Sequence, residues 1–399
     1  MKNKNIRNVP ELRFPGFEGE WEKCKVRDIA TTTIGEFVIK SKQNDSYPYP
    51  VYNGGRTNTG FYDKYNNEGN KILVSARGNA GFVNIIKTRY WAGNSCYSIA
   101  IIDKNKNNVD FTYYEMKLKE NVFIKNQQSA TIPSVSKSAV ENFELLIPSL
   151  QEQTKIGSFL ATIDALISET EKELEAYREQ KHGMLQKMFP KNGETVPEIR
   201  FPGFTDAWEQ RKLGDVIEVA YQGINTTADK VEYVNEGVPI LQGKHITSGK
   251  IDYKDVRYLD KEKYEPIYYP KYVPKANDIL LANIGTIGPS VVMEPGVELL
   301  IAWNIMLIRL NEKADVKFVK VFLDKLNNSN FYESIMRGNA TKFINKEGIM
   351  NIEIPYPSVC EQQKIGAYFA NLDNLITLHQ RELDSLLELK KGFMQKMFC

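Results

Sequence analysis

Two segments of this chain occur twice, and this duplication limits the folds that the chain can adopt. The sequence Val-Pro-Glu-Leu-Arg-Phe-Pro-Gly-Phe at 9–17 returns at 196–204 with Ile in place of Leu, and each copy is followed by Trp-Glu. A second segment, 148–189, returns as 357–398. The residues between the copies differ. We therefore expect a tandem duplication in which two units share one frame and carry two divergent inserts.

The repeats divide the chain into six predicted segments. With 399 residues and 42% hydrophobic content, the chain is long enough for two domains that each bury an ordinary core. The predicted segments are an N-terminal arm at 1–21, a first insert domain at 22–147, a first helix at 148–189, a linker with the second arm at 190–208, a second insert domain at 209–356 and a second helix at 357–399.

Composition places few limits on the partner. The net charge is +2, from 52 basic and 50 acidic residues, so overall charge neither requires nor excludes a polyanion. The first insert has a basic excess, which favours binding through local patches.

The cysteines and the apolar runs indicate a cytoplasmic protein. Cys24, Cys96, Cys360 and Cys399 lack the paired spacing of a zinc site or a disulfide framework, and they suit a reducing compartment. The longest apolar stretch, 299–308, is too short to span a bilayer, and the N-terminus lacks the apolar run of a signal peptide.

The second repeated segment predicts two long helices. Ser149 is followed three residues later by Glu152, and Ser358 is followed by Glu361, so each helix is expected to begin with a capping box. Apolar residues then recur at steps of four and three for more than four heptads, which is the pattern of a coiled-coil seam. The predicted seam residues are Ile156, Leu160, Ile163, Ile167, Leu174, Ile365, Phe369, Leu372, Ile376 and Leu383.

The seam is interrupted at matching positions in the two copies. Thr170 corresponds to His379, and Lys181 corresponds to Lys390. Polar seam residues fix register, so we expect the two helices to pair with each other as an antiparallel coiled coil about 60 Å long. Dimerisation through the same helices is the alternative. The duplicated arms, 13–17 and 200–204, are expected to pack against helix tips, the first of them near Phe398.

Each insert reads as a mixed α/β domain with a curved, mostly antiparallel sheet. The overall prediction is an α+β fold with pseudo-twofold symmetry, in which two long helices join and separate the two domains. Asn94 and Asn304 each precede a strand, and the two positions are predicted to correspond. The candidate strands are 71–74, 82–86, 98–102, 279–282, 290–293 and 305–309, interrupted by Gly-containing turns.

The turns of both inserts are rich in side chains that bind base edges and phosphates. Arg and Lys suit guanine and phosphate, whereas Asn and Gln suit adenine. The candidate DNA-binding residues are Tyr52, Asn53, Arg56, Arg77, Asn79, Gln127, Gln128 and Lys137 in the first insert, and Gln242, Lys244, His245, Asn283, Arg337, Asn339 and Lys342 in the second. A solvated loop residue is the alternative for each of them taken singly.

Motifs for catalysis are missing from the sequence. It contains no phosphate-binding loop, no dinucleotide fingerprint, no metal-spaced histidine pair and no motif for holding a flipped base. Glu115-x-Lys117 resembles the end of a nuclease motif but lacks the preceding Pro-Asp. We therefore expect no catalytic site and no metal site. The alternatives are a self-contained methyltransferase or nuclease, and a coiled-coil scaffold that binds no DNA.

The repeated motifs resemble those of one known family, the specificity (S) subunits of type I restriction-modification systems. The resemblance covers essentially the whole chain and is most specific in the doubled Arg-Phe-Pro-Gly-Phe arm, the Pro-Ser-x-x-Glu-Gln-x-Lys-Ile-Gly helix starts at 148–157 and 357–366, and the Gly-x-x-Gln-Lys-Met-Phe helix ends. It implies that 22–147 and 209–356 are target-recognition domains, each of which reads one half of a bipartite asymmetric DNA site. It implies that the helices are conserved spacers that set the gap.

The same resemblance implies the partners. Such a subunit is not itself an enzyme but recruits two methyltransferase subunits, which bind S-adenosylmethionine and methylate adenine. Two translocase-nuclease subunits that use ATP and Mg²⁺ join optionally. No cofactor is then expected on this chain, and double-stranded DNA is its ligand.

Overall fold

The computed structural model describes residues 8–125, 133–191, 193–247 and 249–399. The chain forms two compact units. The first unit consists of Met1–Lys172 with Gln380–Cys399, and the second unit is Glu173–His379. Each unit contains one insert and part of both long helices, so segments distant in sequence fold together in each.

The first unit is built around a four-stranded antiparallel sheet. In spatial order its strands are Ala30–Ile34, Cys96–Ile101, Lys71–Ser75 and Val83–Ile86. A three-stranded sheet contains Gly60–Tyr62, Tyr49–Tyr52 and Trp91–Ala92, the last pair parallel, and Glu22–Lys25 pairs with Glu144–Ile147. The shorter helices are Val26–Ile29, Lys40–Lys42, Val109–Leu118, Asn121–Lys125 and Lys137–Glu141.

The second unit repeats this plan with additional strands. Its four-stranded antiparallel sheet has the order Ile217–Gln222, Ile305–Leu310, Ile279–Ile284 and Thr286–Val292. A second sheet contains Tyr233–Val234, Arg257–Leu259, Val238–Leu241 and Leu300–Ile301, and two strand pairs are Glu209–Lys212 with Glu353–Tyr356 and Ile246–Thr247 with Lys250–Ile251. The shorter helices are Leu213–Val216, Gly243–His245, Lys261–Tyr272, Val316–Asn328, Phe331–Ser334 and Lys346–Met350.

The predicted fold class is confirmed. All six candidate strands are present in the central sheets, with ends shifted by at most four residues. Strands such as Ile279–Ile284 are buried along their whole length because helices and further strands cover them.

The two long helices are Leu150–Lys187 and Val359–Lys396, 38 residues each. Ser149 and Ser358 accept hydrogen bonds from the amides of Glu152 and Glu361 at 3.4 Å, as the capping-box prediction required. The prediction was wrong about the glutamate carboxylates, because an arginine of an arm binds each of them. The sequence pattern around the helix start does not reveal that competing partner.

In each unit the two helices run antiparallel. Within the first unit the Phe159 and Phe393 ring centroids are 4.9 Å apart, and Lys390 Nζ lies 2.5 Å from Asp164. Within the second unit, Lys181 Nζ lies 2.7 Å from Asp373. Residue numbers therefore rise along one helix as they fall along the other. The matched polar positions Lys181 and Lys390 each bind an aspartate of the opposite helix, which fixes the register.

The seam residues are largely buried. Among the predicted set, Ile156, Leu160 and Phe369 are at most 1% exposed, and Ile376 is only half-buried. The other interrupted position is also occupied by a contact, because His379 Nδ1 lies 3.5 Å from a Glu173 carboxylate oxygen.

The duplicated arms occupy matching positions in their units. The Leu12 amide donates to the Lys396 carbonyl at 2.7 Å, and the Ile199 amide donates to the Lys187 carbonyl at 2.9 Å. The first arm therefore does pack at the end of the second helix, as predicted. Phe14, however, packs edge-on against Phe159 of the first helix, with centroids 5.7 Å apart.

A buried ion pair ties each arm to the start of a long helix. Arg13 donates from Nε and Nη2 to the two carboxylate oxygens of Glu152, both at 2.7 Å. Arg200 binds Glu361 in the same way at 2.7 and 2.8 Å. The glutamate side chains are both 1% exposed. Bidentate geometry of this kind positions both groups strongly.

Candidate nucleic-acid interface

Several turns meet at one end of the central sheet of the first unit, and we call this region the first turn edge. It consists of residues 35–38, 53–56, 77–79 and 92–95, together with 134–137. Backbone bonds join the turns: the Asn79 amide donates to the Gly54 carbonyl at 2.8 Å, and the Arg77 amide donates to the Ser95 carbonyl at 3.4 Å. These turns form a single surface.

Close backbone approach shapes this surface. Gly54 has φ of +81°, and a Cβ there would lie 2.3 Å from the Arg77 carbonyl oxygen. Any larger residue would therefore separate the two turns. The Asn53 side chain accepts from the Ser95 amide at 3.3 Å, and this bond holds the 53–56 turn against the 92–95 turn.

A small polar cavity opens at the first turn edge. It has a volume of about 190 Å³, and Arg77, Asn94, Tyr97, Ser134 and Ser136 are among its lining residues. Burial raises the pKa of Tyr97, and the nearby Arg77 guanidinium partly offsets this effect. The Tyr97 hydroxyl therefore stays neutral at physiological pH. Hydroxyl, amide and guanidinium groups together can pair with base edges or phosphates.

The first turn edge contains most of the residues predicted for the first insert. The side chains of Arg56, Arg77, Asn79 and Lys137 are exposed there. Asn53 is half-buried in its bond to Ser95. The other three predicted residues do not add an exposed side chain to this surface. Tyr52 is half-buried at the end of its strand, and Gln127 and Gln128 lie outside the described residues.

The second unit has a corresponding second turn edge, made of residues 223–225, 242–245, 283–286 and 302–304 with the hairpin 337–343. The Gly243 amide donates to Asn304 Oδ1 at 3.1 Å, and the Gly285 amide donates to the Lys342 carbonyl at 3.0 Å. The hairpin is closed by reciprocal backbone bonds between Arg337 and Phe343, both 2.9 Å. The predicted residues with exposed side chains are Lys244, Arg337, Asn339 and Lys342, and Gln242 is half-exposed.

Two predicted DNA-binding residues prove to be buried. Asn283 is 0% exposed and donates from Nδ2 to the Ile344 carbonyl at 2.9 Å. His245 is 3% exposed and accepts from the Gln242 amide at 2.9 Å through Nδ1. Burial lowers the pKa of His245, so its ring is neutral at physiological pH. Both residues hold the turns in place and do not present a surface to DNA.

The backbone also corrects one predicted correspondence. The Gly35 amide donates to the Cys96 carbonyl at 3.0 Å, and the Gly223 amide donates to the Ile305 carbonyl at 3.1 Å. This register aligns Asn94 with Trp303, and the predicted match of Asn94 with Asn304 is wrong by one residue. Trp303, 41% exposed, was not among the predicted residues, because its apolar surroundings in sequence resemble a buried strand.

The structure offers no support for a nuclease site at Glu115. Its side chain is 0% exposed and accepts from Lys119 at 2.5 Å and from the Leu146 amide at 3.1 Å. Across the described residues, no group of His, Cys, Asp and Glu side chains is arranged to hold a metal ion. In the same part of the chain, no helix is both long and apolar enough to cross a membrane.

Comparison with known proteins identifies the family. A family model described as the type I restriction modification DNA specificity domain matches residues 18–176 and again residues 205–388. The chain belongs to this family. Each match covers one insert together with most of the long helix that follows it in sequence.

Full-length relatives share this assignment. The specificity subunit of the type I restriction enzyme MjaVIII of Methanocaldococcus jannaschii is 26% identical, covering 98% of this chain and 95% of that protein. A putative type I specificity subunit of Mycoplasma genitalium is 22% identical, covering 95% of this chain and 94% of that protein. The prediction of a non-catalytic type I specificity subunit is confirmed.

The fold is shared with a solved structure. The crystal structure of the S subunit of a type I restriction-modification system from M. genitalium matches with a TM-score of 0.76 at 18% sequence identity. The match covers 98% of this chain and 99% of that chain.

Proposed function

We propose that this specificity subunit reads a bipartite, asymmetric DNA sequence, with one half-site read by each turn edge. The observation that carries the proposal is the double match to the specificity domain, with one match over each insert. The two turn edges are held by equivalent backbone hydrogen bonds but present different side chains. The first presents Arg56, Arg77 and Asn79, whereas the second presents Lys244 and the basic hairpin around Arg337.

In this proposal, phosphate contacts provide affinity and base contacts provide sequence selectivity. The exposed Arg and Lys side chains bind phosphates, which gives most of the affinity and makes it fall with rising salt. The amide and guanidinium groups that reach the major groove select the bases. Arg77 lines the polar cavity beside Asn94 and is the best placed of the first group to do so.

The long helices provide the spacing in this proposal. Each is a continuous 38-residue element, and both units draw on both helices. The register-fixing ion pairs of Lys181 and Lys390 keep the two helices from sliding. We propose that helix length sets the gap between the half-sites.

Partners supply the chemistry. Two methyltransferase subunits carrying S-adenosylmethionine methylate an adenine in each half-site, after flipping it out of the duplex. Translocase-nuclease subunits, which use ATP and Mg²⁺, join when restriction occurs. The chain itself binds no cofactor, and the complex acts in the cytoplasm, where the DNA is.

A domain exchange tests independent reading. Residues 209–356 are replaced by the equivalent segment of another protein of this family, and adenine methylation is mapped in DNA from cells that also express the methyltransferase partner. We expect one half-site to change and the other half-site and the gap to persist. A change in both half-sites would overturn independent reading by the two units.

A heptad insertion tests the spacing. Seven residues are added to both helices at seam-matched positions, which lengthens each by about 10.5 Å, or about three base pairs. We expect unchanged half-sites and a longer gap. The control inserts seven residues into the linker before the second arm, and it should leave the gap unchanged. Altered half-sites, or an unaltered gap in the helix variant, would contradict the proposal.

A further inference from the structure

An exposed phenylalanine lies within the first turn edge, in its 35–38 segment. Phe37 is 72% exposed, and its neighbours Ile34 and Ile39 are 52% and 39% exposed. Exposed apolar surface rimmed by polar residues often marks a site where a partner binds. None of the three is among the candidate DNA-binding residues predicted from the sequence.

The loop that carries Phe37 is held at both ends. On one side, the Glu36 amide donates to the Ala92 carbonyl at 2.9 Å. On the other, the Tyr62 hydroxyl accepts from the Ile39 amide at 2.7 Å and donates to the Ile39 carbonyl at 2.8 Å. The loop is therefore fixed before any ligand arrives, and a partner of Phe37 meets little ordering cost in this backbone.

Phe37 adjoins the groups proposed to read DNA. Its neighbour Val38 and the Asn53 side chain both crowd Gly93, where a Cβ would lie 2.7 Å from one and 2.3 Å from the other. The exposed side chains of Lys40 and Lys42 follow in the next turn. The exposed Glu36 precedes Phe37, so the two lysines supply cations on one side of it only. An apolar side chain with cations nearby fits DNA, whose phosphates surround apolar groups in its grooves.

The second unit builds the same backbone and places a different side chain on it. The Ile224 amide donates to the Ile301 carbonyl at 2.8 Å, as Glu36 does to Ala92 in the first unit. The residue equivalent to Phe37 is Asn225, whose Oδ1 accepts from the Ala228 amide at 3.1 Å. A fixed position whose chemistry differs between the units is suited to selecting different bases.

We propose that Phe37 contacts the 5-methyl group of a thymine in the major groove and thereby makes thymine part of the half-site read by the first unit. This inference rests on the proposed function. The thymine methyl is the one apolar group by which a base pair is distinguished in the major groove. Covering one methyl group with an apolar side chain strengthens binding by about fourfold, or up to about tenfold if the phenyl ring is also desolvated.

The test removes each half of the contact separately. The chain is assembled with its methyltransferase partner, and binding is measured to duplexes in which each thymine of the first unit's half-site is replaced in turn by deoxyuridine, which lacks only the methyl group. We expect one such replacement to weaken wild-type binding about four- to tenfold. Phe37→Ala should weaken binding to the thymine duplex by a similar factor and should show no further loss with deoxyuridine.

Two variants serve as controls. Phe37→Leu keeps an apolar side chain and should retain part of the preference for thymine over deoxyuridine. Ile102→Ala removes an apolar side chain of similar exposure, 61%, next to the other end of the strand Cys96–Ile101, and should leave binding unchanged. Both substituted side chains are exposed, so thermal stability should equal that of the wild type.

Three results would overturn the inference. The first is a half-site of the first unit without thymine. The second is additive losses from Phe37→Ala and deoxyuridine, which would mean that the two groups do not touch. The third is a 2-aminopurine signal of unstacking that depends on Phe37, which would make the side chain a wedge between base pairs. If the wild-type complex showed no preference among DNA sequences, that result would instead refute the proposed function.

Discussion

We predict that the ion pair between Arg13 and Glu152 anchors the first arm to the start of the first long helix. Arg13→Met keeps a side chain of similar length but removes the cation and its hydrogen bonds to Glu152, Gly19 and Glu18. The Glu152 side chain is 1% exposed, so its carboxylate would remain buried without its cation. The variant therefore tests whether the ion pair stabilises the packing of the arm or contributes no measurable stability.

The expected size follows from burial and from the helix start. Removing one partner of a buried ion pair costs about 3–5 kcal/mol. Glu152 lies in the first turn of its helix, where the macrodipole stabilises a negative charge by about 0.3–1 kcal/mol. We expect a net loss of about 2–4 kcal/mol. In a unit of this size that loss lowers Tm by roughly 4–16 °C.

The assay combines calorimetry with hydrogen exchange. Calorimetry gives the loss in Tm, and exchange measured by mass spectrometry should show lost protection in peptides covering 12–22, 150–157 and 390–399. Adding Glu152→Gln to Arg13→Met removes the stranded charge and should recover at least half of the loss. Arg200→Met is the matched variant in the second unit, and it should expose the corresponding peptides there.

The reasoning would be refuted by a loss below about 1 kcal/mol, the size of a surface pair. It would equally be refuted if the double variant were no more stable than Arg13→Met, because the stranded carboxylate would then not be the cause.

Three further predictions concern single side chains. The pKa of His245 is lowered by burial, so the neutral ring contributes its full stability above about pH 6.5, and this contribution is lost as pH falls through the lowered pKa of the folded state. His245→Asn should therefore flatten the decline in Tm between pH 7 and 5. An unchanged decline would contradict this. The pKa of Glu115 is raised by burial, so stability falls as pH rises above about 4.3. Glu115→Gln should remove that slope in calorimetry at pH 4 to 7, and a slope that persists in the variant would contradict this. Gly35→Ala would place a Cβ 2.3 Å from backbone oxygens and should abolish recognition by the first unit in methylation mapping. The control Gly183→Ala, whose Cβ meets open space, should leave recognition intact. Equal effects of the two variants would contradict a role of the close backbone contact at Gly35 in recognition.

The sequence predicted the long helices well because short-range residue patterns determine where such helices begin and end. Heptad spacing and a Ser three residues before Glu located both long helices to within three residues at each end. The matched Lys181 and Lys390 identified register-fixing contacts, although their partners, Asp373 and Asp164, could not be read from spacing alone. Arg13 and Glu152 are 139 positions apart, so no local signal joins them.

The turn edges were predicted less well because exposure depends on tertiary contacts. Asn283 and His245 have the right chemistry for bases, but they satisfy backbone groups inside the unit. Phe37 lies in an apolar run that resembles a strand, yet the strand ends at Ile34 and leaves the side chain outside. Residue type predicted what could bind, whereas only the fold determined what reaches the surface.

The placement of these residues separates stability from recognition. The buried pairs Arg13–Glu152 and Arg200–Glu361, which occur in both units, join arm to helix, and their loss destabilises the unit that holds them. The side chains that differ between the turn edges, such as Phe37 and Arg77, are exposed, and substitutions at exposed positions usually change stability by no more than about 0.5 kcal/mol. New base preferences can therefore arise at the edges without loss of folding, as long as glycines such as Gly35 and Gly54 keep the turns together. A survey of substitutions at exposed edge positions should consequently yield folded variants with altered half-sites, whereas substitutions in the arm-to-helix pairs should yield unstable variants with unaltered preference.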